Sequence, residues 1–321
     1  MKNKLIPYAV FFVLASLYAY YASTLNPYKP QDGQDWLQIG KGTIEALTLQ
    51  SDEQVLNVSK DTSSDRYWLD VRSAPKPGAE ASKESDRFLA SDSLLTVFEG
   101  FSPLRVNKVL GKAEGLKLEE FGLDKTTHSL KVTYGNGKNL SLRFGKRSFQ
   151  STEIFALDEG QNTVLLLDRQ FLSPLDRPKA RLALVQPYSF KLEDVTGATI
   201  SHQAKSTEYL QLKKGDSKKW VRKEKPEIVD EAFRNWLDKF LKLKIESYPK
   251  EDEIKGIEQA ELKLSILFQG EKGQLDILSL FEQKGESGSR YWMKSKNLPI
   301  PVGLEKDKVE LLLNDLSSIQ I

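Results

Sequence analysis

Few side chains in this sequence are equipped for chemistry. Its 321 residues include no cysteine and two histidines, His128 and His202. Without thiolates there is no disulfide, cysteine-ligated zinc, iron–sulfur cluster or Cys nucleophile. The histidines lack H-x-x-x-H spacing, so a transition metal finds no ready ligand set. A Ser-His-acid triad would have to use one of them, and neither lies near a Gly-x-Ser-x-Gly elbow. His128 follows Thr126-Thr127 at a strand entrance and His202 follows Ile200-Ser201 at a strand end. Both read as surface polar residues. The 45 Asp and Glu residues include no spacing that selects an acid–base pair, and no Asp-rich calcium loop. The sequence therefore assigns no catalytic, cofactor-binding or metal-ligating residue and implies no cofactor.

Two glycine-rich fragments imitate phosphate loops. Gly40-Lys41-Gly42-Thr43 lacks the Gly-x-x-x-x-Gly-Lys-[Ser/Thr] order and is followed by a strand pattern, so it reads as a turn. Gly135-Asn136-Gly137-Lys138 lies between two alternating segments and reads as a hairpin turn, where Asn and Gly accept positive φ. The basic run Lys213-Lys214, Lys218-Lys219, Arg222-Lys223, Lys225 surrounds Trp220 and reads as a solvated edge hairpin. Lys and Arg (47) nearly balance Asp and Glu (45), which disfavours nucleic acid as a partner.

The elements behind these residues begin with Leu5–Leu25, LIPYAVFFVLASLYAYYASTL, with no charge between Lys4 and Lys29. About 20 such residues cross the ~30 Å hydrocarbon core as a helix. Tyr18, Tyr20 and Tyr21 crowd one end, as interfacial tyrosines do, and Lys2 and Lys4 precede the run. The expectation is one transmembrane anchor over residues 1–25, with a cytoplasmic N-terminus and everything beyond outside the cytoplasm. A signal peptide would have a shorter apolar run and a small-x-small site. No Cys follows, which excludes lipoprotein anchoring. Residues 26–40, with Pro27, Pro30 and Gly33, read as an extended linker whose Trp36 and Leu37 pack on the membrane surface or on the domain.

Beyond the linker the apolar blocks repeat, giving a first unit over residues 41–190 and a second over 191–321. Ile44–Leu49, Val55–Val58 and Tyr67–Val71 correspond to Ala198–Ser201, Tyr209–Leu212 and Lys219–Arg222, with Trp68 matched to Trp220. The loop Ser73–Asp86 then has too little apolar content to pack. An amphipathic helix follows in each copy: Phe88, Leu94, Leu95, Phe98 and Phe101 in the first, and Phe233, Trp236, Leu237, Phe240, Leu241 and Leu243 in the second. A short helix ending in Gly122 or Gly256 leads to a hairpin turning at Gly135–Gly137 or Gly270–Gly273. Two more strands and a closing helix (Phe171–Leu175; Lys306–Ile319) complete each copy. Trp68, Trp220, Trp236 and Trp292 fall at related positions and read as core. The fold class is α+β: two tandem copies of a mainly antiparallel β-sheet unit with packed helices, preceded by one transmembrane helix.

The tetrad Phe121-Gly122-Leu123-Asp124 before a hairpin, then Leu142-Arg143-Phe144-Gly145, Ser151–Leu157 and Thr163–Leu167, resembles the bacterial domain-of-unknown-function family 4340. Gly197-Ala198-Thr199-Ile200 leading to Lys219-Trp220-Val221 extends the likeness, which covers Ile44 to the C-terminus. Phe155 stands where the family usually has tyrosine. The resemblance implies an anchored extracytoplasmic protein associated with ABC transporters of the gliding-auxiliary type, and it assigns no catalytic residue. The expected function is a non-catalytic, membrane-anchored scaffold or accessory subunit of an ABC-type transport complex. It would sit in the bacterial inner membrane through residues 5–25, with permease or related subunits as partners. The alternative is a binding module that takes lipid, glycan or peptide in a groove between the repeats.

Overall fold

Period-two alternation of apolar residues builds two nine-stranded sheets, one after the other along the chain, beside a two-stranded pair. The computed structural model describes residues 33–37, 44–74, 85–149, 152–214, 217–286 and 288–319. The apolar segment 5–25, the Gly40–Thr43 turn and most of the Ser73–Asp86 loop lie outside them. Among the described residues no helix is long and apolar enough to cross a membrane.

The first sheet follows a short strand β1 (Gln34–Leu37). Its strands begin with β2 (Ile44–Gln50), β3 (Gln54–Lys60), β4 (Tyr67–Ser73) and β5 (Asp86–Leu89). Helix α1 (Ser93–Glu99) and strand β6 (Leu104–Val106) lead to β7 (Lys108–Lys112) and helix α2 (Leu118–Phe121). Strands β8 (Ser129–Tyr134), β9 (Asn139–Arg147), β10 (Glu153–Asp158) and β11 (Thr163–Asp168) follow, closed by a 3-10 stretch and helix α3 (Pro178–Leu182).

The second sheet opens with β12 (Val195–His202), β13 (Lys205–Lys214), β14 (Ser217–Arg222) and β15 (Lys225–Val229), then helix α4 (Glu231–Phe240) and β16 (Ile245–Ser247). Helix α5 (Glu251–Glu258), β17 (Glu261–Gly270), β18 (Gly273–Gly285), β19 (Gly288–Ser295), β20 (Val302–Leu304) and helix α6 (Lys306–Asn314) complete it.

The orders across the sheets are β5-β4-β3-β2-β8-β9-β10-β11-β7 and β15-β14-β13-β12-β17-β18-β19-β20-β16. They are one topology used twice, and the helices fall at the same steps. Even the irregularities agree. The first strand of each sheet has a bulge, between Ile44 and Ala46 and between Val195 and Gly197, against the same partner strand. Each sheet buries one face under its own helices, around Leu47, Leu56, Leu69, Leu94 and Phe98 in the first, and around Ile200, Tyr209, Phe233, Trp236 and Ile266 in the second. Helix α4 is held at its start by Asp230, whose carboxylate accepts the Phe233 N–H at 2.9 Å, a standard N-cap.

Several expectations need correction. The linker does not run to residue 40: Gln34–Leu37 forms β1, paired with β6, and the Trp36 indole donates to Asp158 at 2.7 Å. Trp36 thus packs on the domain. The first amphipathic helix is only seven residues long, because Phe88 belongs to β5 and Phe101 follows the helix. The basic run is only partly at an edge: β14 and β13 lie one and two strands in, and Lys225 opens the edge strand β15.

The matching of Trp68 to Trp220 is off by one residue. The register runs Ala46–Ser59–Trp68–Leu89 across the first sheet. In the second, the equivalent path from Gly197 runs through Leu210 to Val221 and Val229. Trp68 is therefore equivalent to Val221, and Tyr67 to Trp220. In a strand a one-residue step changes the face. Tyr67 and Trp220 enter their cores, each edge-on to a helix phenylalanine at 5.1 Å, Phe98 and Phe233 respectively. Trp68 points to the other face.

Candidate functional site: the cleft between the repeats

The out-of-register tryptophan lies where the two repeats meet. Three residues of the connecting segment join the sheets edge to edge. Ala183 bridges Ala90 beside β5, and the Leu184 N–H donates to Leu89 O at 2.7 Å. On the other side, the Ile245 N–H of β16 donates to Val185 O at 2.9 Å. Extended chain thus spans from the β5 edge of one sheet to the β16 edge of the other. The Arg66 guanidinium adds a bond to the Asn297 carbonyl at 3.1 Å across the same junction.

Beside this junction opens a cleft of about 1390 Å³, lined from the first repeat by Trp68, Arg72, Asp86, Arg87 and Lys179 and from the second by Ile245–Glu251 and Ile254. Trp68 organises its wall. Its indole N–H donates to Asp61 at 3.2 Å, the Arg87 guanidinium stands 4.6 Å from its ring centre, and Tyr248 packs edge-on at 5.8 Å. Cation–π and aromatic contacts of this kind fix side chains that would otherwise sample many rotamers. Burial opposes ionisation of Asp61, yet the hydrogen bonds from Ser63, Ser64 and Trp68 outweigh it and hold the carboxyl below its ordinary range. Burial pushes the Tyr248 phenol up to about 12. That hydroxyl, with the Leu89 backbone as a polar neighbour, makes no hydrogen bond of ordinary geometry. Two of the other lining charges are held in ion pairs: Lys179 with Asp86 at 2.6 Å and Arg72 with Asp70, two residues away on β4, at 2.8 Å.

The two histidines are not brought together. His128 is half-buried in the first sheet with its ring 5.0 Å from Phe144, and burial, then the Arg169 charge, lowers its pKa. His202 lies in the second sheet, its Nδ1 2.6 Å from the Lys263 carbonyl. Both are more enclosed than surface polar groups. Among the described residues no three His, Asp or Glu side chains converge as a metal site. Trp236 and Trp292 are core residues, the latter equivalent to Phe155 through the pairing of β19 with β20 and β10 with β11.

The motif glycines prove structural. Gly122 ends α2 in the left-handed region at φ 67°, donating to Glu119 O, a conformation that glycine adopts without penalty. Gly145 lies against the Phe121 carbonyl so closely that a Cβ would overlap it. The tetrad and the strand motif thus lock α2 onto the back of the sheet, with Phe121 edge-on to Phe155 at 4.9 Å. The cleft was not visible in these motifs, and in the sequence Trp68 reads as one more core tryptophan; it is buried, but outside the first repeat's main core cluster.

No curated protein matches this chain. No solved structure matches it either. Residues 105–263 match the family model described as Domain of unknown function (DUF4340), from β6 through the first residues of β17. Over that span, which crosses the junction and includes the second repeat's side of the cleft, the chain is similar to the DUF4340 family.

Proposed function

We propose that the protein is a non-catalytic scaffold whose inter-repeat cleft takes an extended segment of a protein partner. Residues 5–25 hold it in the bacterial inner membrane, with its body outside the cytoplasm. One observation carries the proposal for the cleft: extended chain at Ala183–Val185 already lies between the edges of β5 and β16. Leu89 directs its main-chain groups away from β4, so by alternation Arg87 does too, toward the cleft. An added strand gains main-chain hydrogen bonds from such an edge and side-chain specificity from the walls.

The wall chemistry favours peptide over the other ligand classes. Arg87 and Tyr248 already occupy positions around Trp68, which leaves little open face for stacking a sugar. Acids and bases alternate along the rim, so no single-sign field selects an anionic lipid or a polyanion. The ion pair with Lys179 and the bonds from Ser63, Ser64 and Trp68 hold Asp86 and Asp61 in structural contacts. The family resemblance implies a partner among ABC-type permeases or related subunits. The test is affinity purification from native membranes with wild type and Trp68→Val. Valine is the residue the second repeat has at the equivalent place. A stoichiometric partner recovered with the wild type and lost with the variant, at equal amounts of folded protein, supports the proposal. Equal recovery refutes it.

A further inference from the structure

Phe149 is 87% exposed, the most exposed large hydrophobic residue described. It lies in the turn after β9, directly behind the exposed Lys146 and Arg147. The equivalent turn of the second repeat follows β18 and reads Lys284-Gly285-Glu286 before Gly288. The two turns close the same step of the same topology, so the fold itself does not call for an aromatic and two adjoining cations there.

The turn also lies close to where the described chain begins. The Ser148 N–H donates to Glu153 O at 2.9 Å. The Glu153 carboxylate accepts from the Asn107 side chain at 2.8 Å. Gly33, the first described residue, packs on Arg105, Val106 and Asn107. Between Leu25, the end of the apolar segment, and Gly33 stand residues 26–32, a length that spans at most roughly 25 Å when extended.

We propose that Phe149, with Lys146 and Arg147, docks on the surface of the same membrane that holds residues 5–25. The ring enters the interface and the two cations meet anionic headgroups. An apolar residue flanked by basic ones is the composition that interfacial binding uses. The inference rests on the reading of residues 5–25 as an anchor. It commits the tip to lipid, and it orients the first repeat with its β9–β10 end toward the bilayer.

The absence of cysteine makes a clean test possible. The full chain carrying Ser148→Cys is spin-labelled and reconstituted into phosphatidylcholine vesicles with and without phosphatidylglycerol. Accessibility to oxygen, which concentrates in lipid, is compared with accessibility to a water-soluble nickel chelate. Leu311→Cys, on an exposed position of α6, is the reference. The oxygen-to-nickel ratio at residue 148 is expected to exceed that at 311 in anionic vesicles. It should fall when Phe149→Asp is added or when Lys146 and Arg147 are both changed to Gln. Equal ratios at the two sites, in protein that remains with the vesicles after alkaline extraction, would overturn the docking while leaving the anchor standing. Loss of the protein on alkaline extraction would overturn the anchor and the docking with it. A label that is buried only in native membranes, and not in vesicles, would assign the tip to a protein and also overturn the proposal.

Discussion

Trp68 and Trp220 occupy the same strand of the two repeats on opposite faces of their sheets. Trp68 pairs with Leu89 and faces the cleft; Trp220 lies opposite Gln211 and packs on Phe233. The residue equivalent to Trp68 is Val221. The two tryptophans should therefore fail differently. Trp220→Ala removes a core aromatic and is expected to cost about 3–5 kcal/mol. Trp68→Val should cost clearly less, since it copies the second repeat. Denaturant titration of both variants checks the order, and equal losses would show that Trp68 is a core residue of the ordinary kind.

Trp236 measures how firmly α4 is tied to α6. Its ring stacks between Phe233 at 6.5 Å and Phe240 at 5.6 Å, and its N–H donates to the Leu312 carbonyl at 3.0 Å. Trp236→Ala is expected to lose about 3–5 kcal/mol, a large part of the ~5–15 kcal/mol that holds a domain together. Trp236→Phe keeps most of the packing and loses the hydrogen bond, worth about 1 kcal/mol net. Recovery of partner should fall with folded protein in both.

Asp276 links stability to pH. It is fully buried on β18, where burial raises its pKa despite bonds from Ser295 Oγ at 2.7 Å and the Lys296 N–H at 3.0 Å. A carboxyl with a folded-state pKa above its unfolded value favours the folded state at low pH. That contribution is present below the ordinary value of 3.8 and is lost as pH rises through the elevated one. Asp276→Asn removes the titration and can keep a bond to Ser295. The stability of wild type minus variant should therefore fall as pH rises upward from about 4. A difference that does not change with pH would show that the carboxyl is not shifted.

The proposed membrane orientation rests on the basic flank before the apolar run. A reporter fused after Ile321 should be active only if it is a type that works outside the cytoplasm, and the intact mass of extracted protein should retain Met1 or Lys2. Cytoplasmic activity of the fusion would reverse the orientation. A mature start near Thr24 or Leu25 would mean cleavage.

The parts of this fold that were legible in the sequence are those that alternation alone determines. Leu130, Val132 and Tyr134 turn through Gly137, at φ 79°, into Leu140, Leu142 and Phe144, and all six are buried as the pattern requires. The short strands β7 and β16 were not legible, because three to five residues such as Ile245-Glu246-Ser247 have no period to detect. Phe88 and Phe101 matched a helical spacing that two neighbouring elements happen to reproduce. The cleft was hidden for a sharper reason. Whether Trp68 faces the core or the cleft depends on the parity of its register against β3, where it lies opposite Ser59, and aligning tryptophan with tryptophan misses it by one residue.

The central claim is that the cleft takes an extended segment of one partner protein. Its most direct measurement is photo-crosslinking in native membranes from a reactive residue introduced at Arg87, whose backbone faces the cleft, with mass spectrometry of the product. The account predicts crosslinks confined to one continuous segment of one protein, competed by a synthetic peptide of that segment and absent with Trp68→Val. Crosslinks scattered over many proteins, or unchanged by both the peptide and the variant, would contradict it.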